Sequence, residues 1–416
     1  MSIKPALIAP FLMKPAVPLA LDFKSGIYRR NGVIVPSGVL GLAGATHARS
    51  GSCWEMAPDG SLVAFAPNQP RIVPGLGLWA RGAFTNLLLR SQEMENGSWI
   101  RNGGGTGFSP VITANAGTAP DGSTTADRVV LNKGAGTSLN DFSNVQQNIT
   151  STAVAHNESI WLRSESGPVQ VGLRIIGNVG GVIDREIITV TDQWQRFTIS
   201  RTFTTTTNGL QIVLRGTYGT SDQASLLVWQ GDVFTGSQPG PMIPTSGGTA
   251  STGADIHTIP FVQRDEDFTL LVAFNLAEGI VSGTTKVPVM FSDGTPSNRF
   301  GLVLSGSGAT DWRVTTAGTA RHHASVPAGL VTSGRAVFAM RYRAGKLTLA
   351  NKIGSNAPAL ASEGAVIPFP IGLARIDIGH HISTSPFNGV VEVVEVQRGP
   401  HHDNTWLAAQ MNRLAA

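Results

Sequence analysis

Through most of this 416-residue chain, apolar residues recur at every second position, and clusters of turn formers interrupt them at short intervals. Segments such as ADRVVLN, NESIWLRSES, WQRFTISRTF and SLLVWQGDVF show the pattern between about Asn86 and Pro244. Period-2 alternation places one set of side chains on each face of a strand, so these segments read as half-buried β-strands. None of them alternates with a long amphipathic helix, which excludes α/β architectures. Evenly spaced strands of this kind pack as a sandwich or jelly roll.

A second strand series, including DFTLLVAFNL, RFGLVLSGS, DWRVTTAG and GVVEVVEVQRG, follows the stretch GSQPGPMIPTSGGTASTGAD. That stretch, rich in Pro, Gly, Ser and Thr, reads as a linker. AVFAMRYRAGKLTLA predicts a hairpin with Ala344-Gly345 in its turn. The final residues, DNTWLAAQMNRLAA, predict a helix capped by Asp403 or Asn404, with Trp406, Leu407, Met411 and Leu414 on its apolar side. The expected fold is all-β: two antiparallel β-sandwich (jelly-roll) domains after an extended N-terminal arm, with a short C-terminal helix. The expected division is 1–88 for the arm and an irregular β region, 89–250 for the first sandwich and 251–416 for the second.

Composition narrows the function classes. Charged residues make up 14% of the chain, against ~25% in ordinary globular domains. The net charge of +4 is spread without a Lys/Arg-rich run, so the concentrated basic face that nucleic acid requires is missing. Cys53 is the only cysteine, which rules out an intrachain disulfide; beside Trp54 it reads as a small core residue rather than a nucleophile. The N-terminus, MSIKPALIAPFLMKPAVPLALDFKSG, superficially imitates a signal peptide, but Pro10, Pro15 and Pro18 break every apolar helix in it. No run reaches the ~20 apolar residues of a membrane span, so no membrane insertion is expected. Residues 1–25 are instead expected to be an extended arm that packs on a neighbouring subunit.

Several strings resemble tail-fibre-like or minor structural proteins of tailed phages, prophages and gene transfer agents. PNQPRIVPGLGLWARGAFTNLLLRSQEMENGSWIRNG is similar to that group's junction into a carbohydrate-binding-module-like jelly roll. NAGTAPDGSTTADRVV, ESIWLRSESG and DQWQRFTIS resemble its internal strands, and LLVWQGDVFTGSQPGPMIPTSGGTASTGAD its closing signature. The segment VWQGDVF departs from the pattern in lacking Gly-Ala-Gln after its Trp. RFGLVL, the Tyr342–Leu349 hairpin and FNGVVEVVEVQRG resemble laminin-G-like, concanavalin-A-like sandwiches. The resemblance implies a virion-surface protein, assembled in the bacterial cytoplasm and held to other virion structural proteins by its N-terminal arm. It also implies adhesion to bacterial surface polysaccharide, and a homotrimer.

Catalytic constellations find little support in the residues. Asp265, Glu266 and Asp267 sit where a turn enters a strand and read as solvated turn residues. Glu392 and Glu395 differ by three and should face opposite sides of a strand, so they should not converge on one bond. The E-x-D-x-E strand signature, the G-x-S-x-G elbow, the P-loop and H-E-x-x-H are all absent from the sequence. No enzyme activity is expected, and a polysaccharide depolymerase or a purely structural fibre, collar or decoration protein remain the alternatives to a glycan-binding fibre.

Binding residues are more open. His322-His323, His380-His381 and His401-His402 form three adjacent pairs without zinc-type spacing, and read as surface or interface histidines. Both resembled sandwich families often hold structural calcium, for which Asp121, Asp127 and Asp232 are the candidate oxygen ligands. The resemblance assigns Trp99, Trp161, Trp194 and Trp229 to the framework. Trp312 with Arg313, near a loop, is the candidate sugar platform, with Arg299, His322, His323 and His380 expected on the same sheet.

Overall fold

The computed structural model describes residues 17–416, apart from residues 37, 176–184, 203–205, 217–220, 263–266, 277–278, 280–283, 308, 332, 362–367, 371, 382–385 and 400–402. The architecture is all-β with one C-terminal helix, and the chain divides into two compact units. One comprises Ala48–Val73 and Arg81–Asp255; the other gathers residues up to His47, Pro74–Ala80 and Ile256–Ala416. The expected N-terminal region of residues 1–88 is therefore shared between both units: Leu19–Asp22 and Gly77–Ala80 join a sheet built mainly from later sequence, while Cys53–Met56 and Leu62–Phe65 pair with each other in the first unit.

The first unit is a jelly-roll-like sandwich of two antiparallel five-stranded sheets. One orders Ile100–Gly104, Phe142–Thr150, Thr207–Arg215, Val169–Ile175 and Arg185–Val190; the other orders Phe108–Gly117, Ala126–Asn132, Gln223–Thr235, Ala155–Ser164 and Gln195–Thr202. Val145, Leu173, Leu210 and Ile212 from the first meet Val129, Leu131, Ile160 and Val228 from the second in one core. Of the four tryptophans assigned to the framework, Trp99, Trp161 and Trp229 are buried, whereas Trp194 is only half-buried, its Nε1 donating to the Thr118 carbonyl at 3.1 Å. Cys53 is buried and free. The stretch expected to be a linker packs on this unit instead: Met242 and Ile243 are buried, Met242 pairs with Trp54, and Ala250–Thr252 pairs with Phe84–Asn86.

The second unit, here called the composite unit, also has two facing sheets. The larger runs Ala359–Leu360, Lys346–Ile353, Gly334–Arg343, Phe268–Leu276, Gly389–Arg398, Leu19–Asp22, Ile27–Arg30 and Val33–Ile34. Gly77–Ala80 pairs with the start of Gly389–Arg398. The facing sheet carries, in order, Thr319–Leu330, Ala309–Thr316, Arg299–Leu304, Lys286–Ser292, Arg375–Ile378 and Ile256–Pro260. Rings lock the two together: Phe268 of the larger sheet lies 5.4 Å from Phe300 of the other, which stacks on Phe291 at 4.4 Å. Part of the expected arm is a strand here, since Leu19–Asp22 hydrogen-bonds to Gly389–Arg398 with Leu19 and Leu21 fully buried. Residues 1–16 of that arm lie outside the described residues.

Two local predictions meet the structure directly. Arg343 pairs with Lys346 across Ala344 (φ 46°) and Gly345 (φ 79°), the left-handed pair of a two-residue hairpin turn. The helix α1 spans Asn404–Ala415, with the Asp403 carboxylate accepting from the Trp406 N–H at 2.7 Å. Its Leu407, Met411 and Leu414 pack on Leu271, Ala273, Val337 and Ala339 of the larger sheet. That sheet is thus buried on both faces, which accounts for the near-continuous apolar run in Phe268–Leu276. No helix among the described residues is long and apolar enough to cross a membrane.

Candidate functional site

The expected sugar platform does not form on Trp312. Within Ala309–Thr316 the phase of alternation sends Thr310, Trp312 and Val314 inward, and Trp312 is 0% exposed. A ring with no exposed face cannot stack on a sugar. None of the eight tryptophans is exposed. Arg313 and Arg299 point the other way. The register pairs Gly301 with Arg313 and Arg299 with Thr315 on neighbouring strands. Together with Pro296, Ser297, Thr315, Gly318 and Ala320, both arginines line a cavity of about 320 Å³. Burial, and then the like charge of Arg313, lowers the pKa of Arg299.

The histidines separate. His322 and His323 lie on Thr319–Leu330, in register with Val314 and Arg313, but the side chains of residues 321–330 lie outside the described ones. His380 is not a surface residue: it is 2% exposed just after Arg375–Ile378, where its Nε2 lies 3.0 Å from both the N–H and the carbonyl oxygen of His257. His381 is likewise buried, its Nδ1 3.8 Å from Asp377. A pair that sequence spacing hides is His47 with His257, whose rings stack at 4.3 Å. His401 and His402 lie outside the described residues.

The three calcium candidates do not act as one ligand set. Asp121 is an exposed turn residue accepting from the N–H and hydroxyl of Ser123. Asp127 accepts from the N–H groups of Met94 (2.6 Å) and Asn115 (2.8 Å), and burial with Glu95 nearby pushes its pKa up to about 7. Asp232 is fully buried and accepts from Asn86, Gln230 and the Ile243 N–H; burial pushes it up to about 6. Each carboxylate already has its own donors, and the described residues contain no group of three or more His, Cys, Asp or Glu able to hold a metal.

The carboxylates weighed as catalytic are also engaged. Asp267 accepts from the Ala344 N–H in the hairpin turn, while Asp265 and Glu266 lie outside the described residues. Glu392 and Glu395 do not face opposite sides. A bulge between Ala273 and Phe274 of the partner strand leaves Glu392 as the extra residue and resets the alternation. Both therefore meet the helix side: Glu392 holds Arg335, which also donates to the Leu414 and Ala415 carbonyls, and Glu395 accepts from Arg413 of α1 at 2.7 Å. They are ties for the helix.

A surface missed from sequence lies on the jelly-roll unit. The strand Phe142–Thr150 sends Val145 and Ile149 to the core, so Asn144, Gln146 and Asn148 take the other face. Gln146 is in register with Gln211, and Gln211 with Arg174, on the next two strands. A polar row results: Arg174 donates to Gln211 at 2.8 Å, Gln211 to Gln146, and Gln146 to Asn148 at 3.2 Å. Asn148 is exposed, Gln146 and Arg174 half-buried, and Asn144 and Gln211 buried. The amides at alternate positions of NVQQNIT were the available signal. Unlike a carboxylate, an amide both donates and accepts, and so matches a sugar hydroxyl in either role.

No protein-family model matches the chain, and no curated protein sequence matches it. Among solved structures, it is similar to the CBM40 domain of a Ruminococcus gnavus IT-sialidase bound to α2,3-sialyllactose, at 17% identity and TM-score 0.29, over 35% of this chain and 82% of that one. It is also similar to a tail fibre protein of an E. coli phage, at 8% identity and TM-score 0.24, over 72% and 39% of the two chains. Domains LG4-5 of the mouse laminin α1 chain match at 8% identity and TM-score 0.22, over 78% and 90%. Values this low carry no inference about ligand or partner.

Proposed function

We propose that this chain is a non-catalytic structural protein of a phage-like particle, a fibre or spike, that holds a bacterial surface glycan on its sandwich faces. The observation that carries the reading is the row Arg174, Gln211, Gln146 and Asn148 on one sheet face of the jelly-roll unit. Such a row offers donors and acceptors fixed on rigid strands, at a spacing that suits a chain of hydroxyls. Phage-group strings such as NAGTAPDGSTTADRVV support the particle setting. In this reading the chain is a homotrimer at the virion surface, attached through its first residues, and weak sites gain strength through multivalency.

Binding of the purified oligomer to whole host cells and to a glycan array tests the proposal. Retention on cells that Gln146→Ala with Gln211→Ala abolishes is the expected result; no retention in the assembled state would sink it. One observation favours a purely structural reading, namely that these amides already satisfy one another. That reading predicts unchanged attachment of particles carrying the same double substitution.

A further inference from the structure

Arg299 and Arg313 form a half-buried cationic pair without a counter-charge. They occupy adjacent strands of one sheet, with the arginines on the face opposite Phe300, Leu302, Trp312 and Val314, which fill the core. Neither makes an ion pair or hydrogen bond among the described residues, and both Nε atoms are buried without a partner. Asp311 shares Arg313's face two positions along the strand but forms no ion pair with either arginine, and two other nearby acids are spoken for. Asp293, in the hairpin leading to Arg299, accepts from the N–H and hydroxyl of Thr295 and from Asn298. Asp377 is taken by Arg375 at 3.0 Å and by Thr258 at 3.2 Å. Ser292 is the register partner of both Arg299 and Arg375, so the same face carries a third guanidinium, already neutralised.

Two guanidiniums that repel each other in a partly desolvated place are stable company only for an anion. The remaining lining supports that choice, since Ser297 and Thr315 bring hydroxyls and the described lining contains no acid. Guanidinium forks match the two oxygens of a carboxylate, or those of a sulfate or phosphate ester, which a lysine pair would not. At about 320 Å³ the cavity is small, near the lower end of the ~300–1,000 Å³ range of ligand pockets. That size suits one sugar residue and its charged substituent. With no exposed tryptophan for stacking, charge is the means of recognition left to this sheet.

Resting on the reading of the chain as a glycan binder, we infer that the cavity between Arg299 and Arg313 binds the oxyanion substituent of an acidic glycan, so that the composite unit selects for anionic over neutral polysaccharide. The full chain is titrated calorimetrically with an oligogalacturonate, a sulfated oligosaccharide, a neutral oligoglucan and inorganic sulfate. At least one acidic oligosaccharide should bind, weakening as salt rises from low to physiological strength, and Arg299→Ala and Arg313→Ala should each weaken it about tenfold or more. Arg313→Lys should recover only part of the loss. Which acidic oligomer binds separates carboxylate from sulfate preference. Because each alanine relieves a repulsion, both variants should unfold at the wild-type temperature or slightly above it, which guards against loss through misfolding.

Acidic binding that survives both alanine variants would overturn the inference, as would equal binding of the neutral oligomer or binding of inorganic sulfate alone. If acidic oligomers fail while host cells or neutral glycans are still retained, the inference falls and the broader reading stands. If nothing is retained, both fall.

Discussion

Replacing Glu55 by Gln should cost the jelly-roll unit a large part of its stability. Arg71 is fully buried between Glu55 (3.0 Å) and Asp255 (2.9 Å). Arg81 reaches the same Glu55 at 2.8 Å and donates its N–H to Asp255, and Arg49 stands 3.3 Å from Asp255. Three guanidiniums thus share two carboxylates away from water. Removing the Glu55 charge leaves three cations on one acid. Leaving a buried charge uncompensated costs ~3–5 kcal/mol, against a typical total of ~5–15 kcal/mol. With a urea dependence of ~2–3 kcal/mol per molar, the unfolding midpoint should fall by ~1–2.5 M. Arg71→Met should cost a similar amount, and the double variant less than the sum, because each single change strands the other's partner. Urea unfolding followed by tryptophan fluorescence reads all three. A midpoint shift in Glu55→Gln below ~0.3 M, or full additivity, would show that the network holds no coupled charge.

Three further outcomes follow from single features. Asp127 binds its proton more tightly folded than unfolded, so its stabilising contribution is complete below the unfolded value of ~3.9 and is lost as pH rises through about 7; Asp127→Asn should flatten the thermal midpoint across that window, as scanning calorimetry at stepped pH would detect. Trp312→Ala should destabilise the composite unit by ~3–5 kcal/mol, the usual cost of emptying a large core site, and an unfolding midpoint within experimental error of wild type would contradict its burial. Deleting residues 1–25 removes the strand Leu19–Asp22 from its place beside Gly389–Arg398 and should render the larger sheet protease-sensitive, read by limited proteolysis.

Strands, hairpin and capped helix were legible because each is set by neighbouring residues: alternation, a left-handed Ala344-Gly345 pair, an aspartate before an apolar stripe. The fate of Trp312 was legible too, since Thr310, Trp312 and Val314 share a phase that opposes Asp311, Arg313 and Thr315. Other features depend on partners that no local pattern names. The bulge that turns Glu392 toward α1 arises in pairing with Phe268–Leu276. Glu55, Arg71, Arg81 and Asp255 are ordinary isolated charges in sequence, and only the fold assembles them. The stretch around Met242 has a linker's composition, yet Met242 and Ile243 are anchored in a core.

The strand Gly389–Arg398 receives Leu19–Asp22, Gly77–Ala80 and Phe268–Leu276 as partners, which sets an order in time. Ala20 lies in register with Glu395, so during synthesis the early strand must wait until a partner far later in the sequence is made. At ~5–20 residues per second that delay is roughly 20–75 s. The jelly-roll unit, largely complete in sequence by Asp255, has no such wait. Until Gly389–Arg398 emerges, Leu19, Leu21 and Phe23 are apolar surface without a home, and early release of the chain would leave that sheet edge open to other chains.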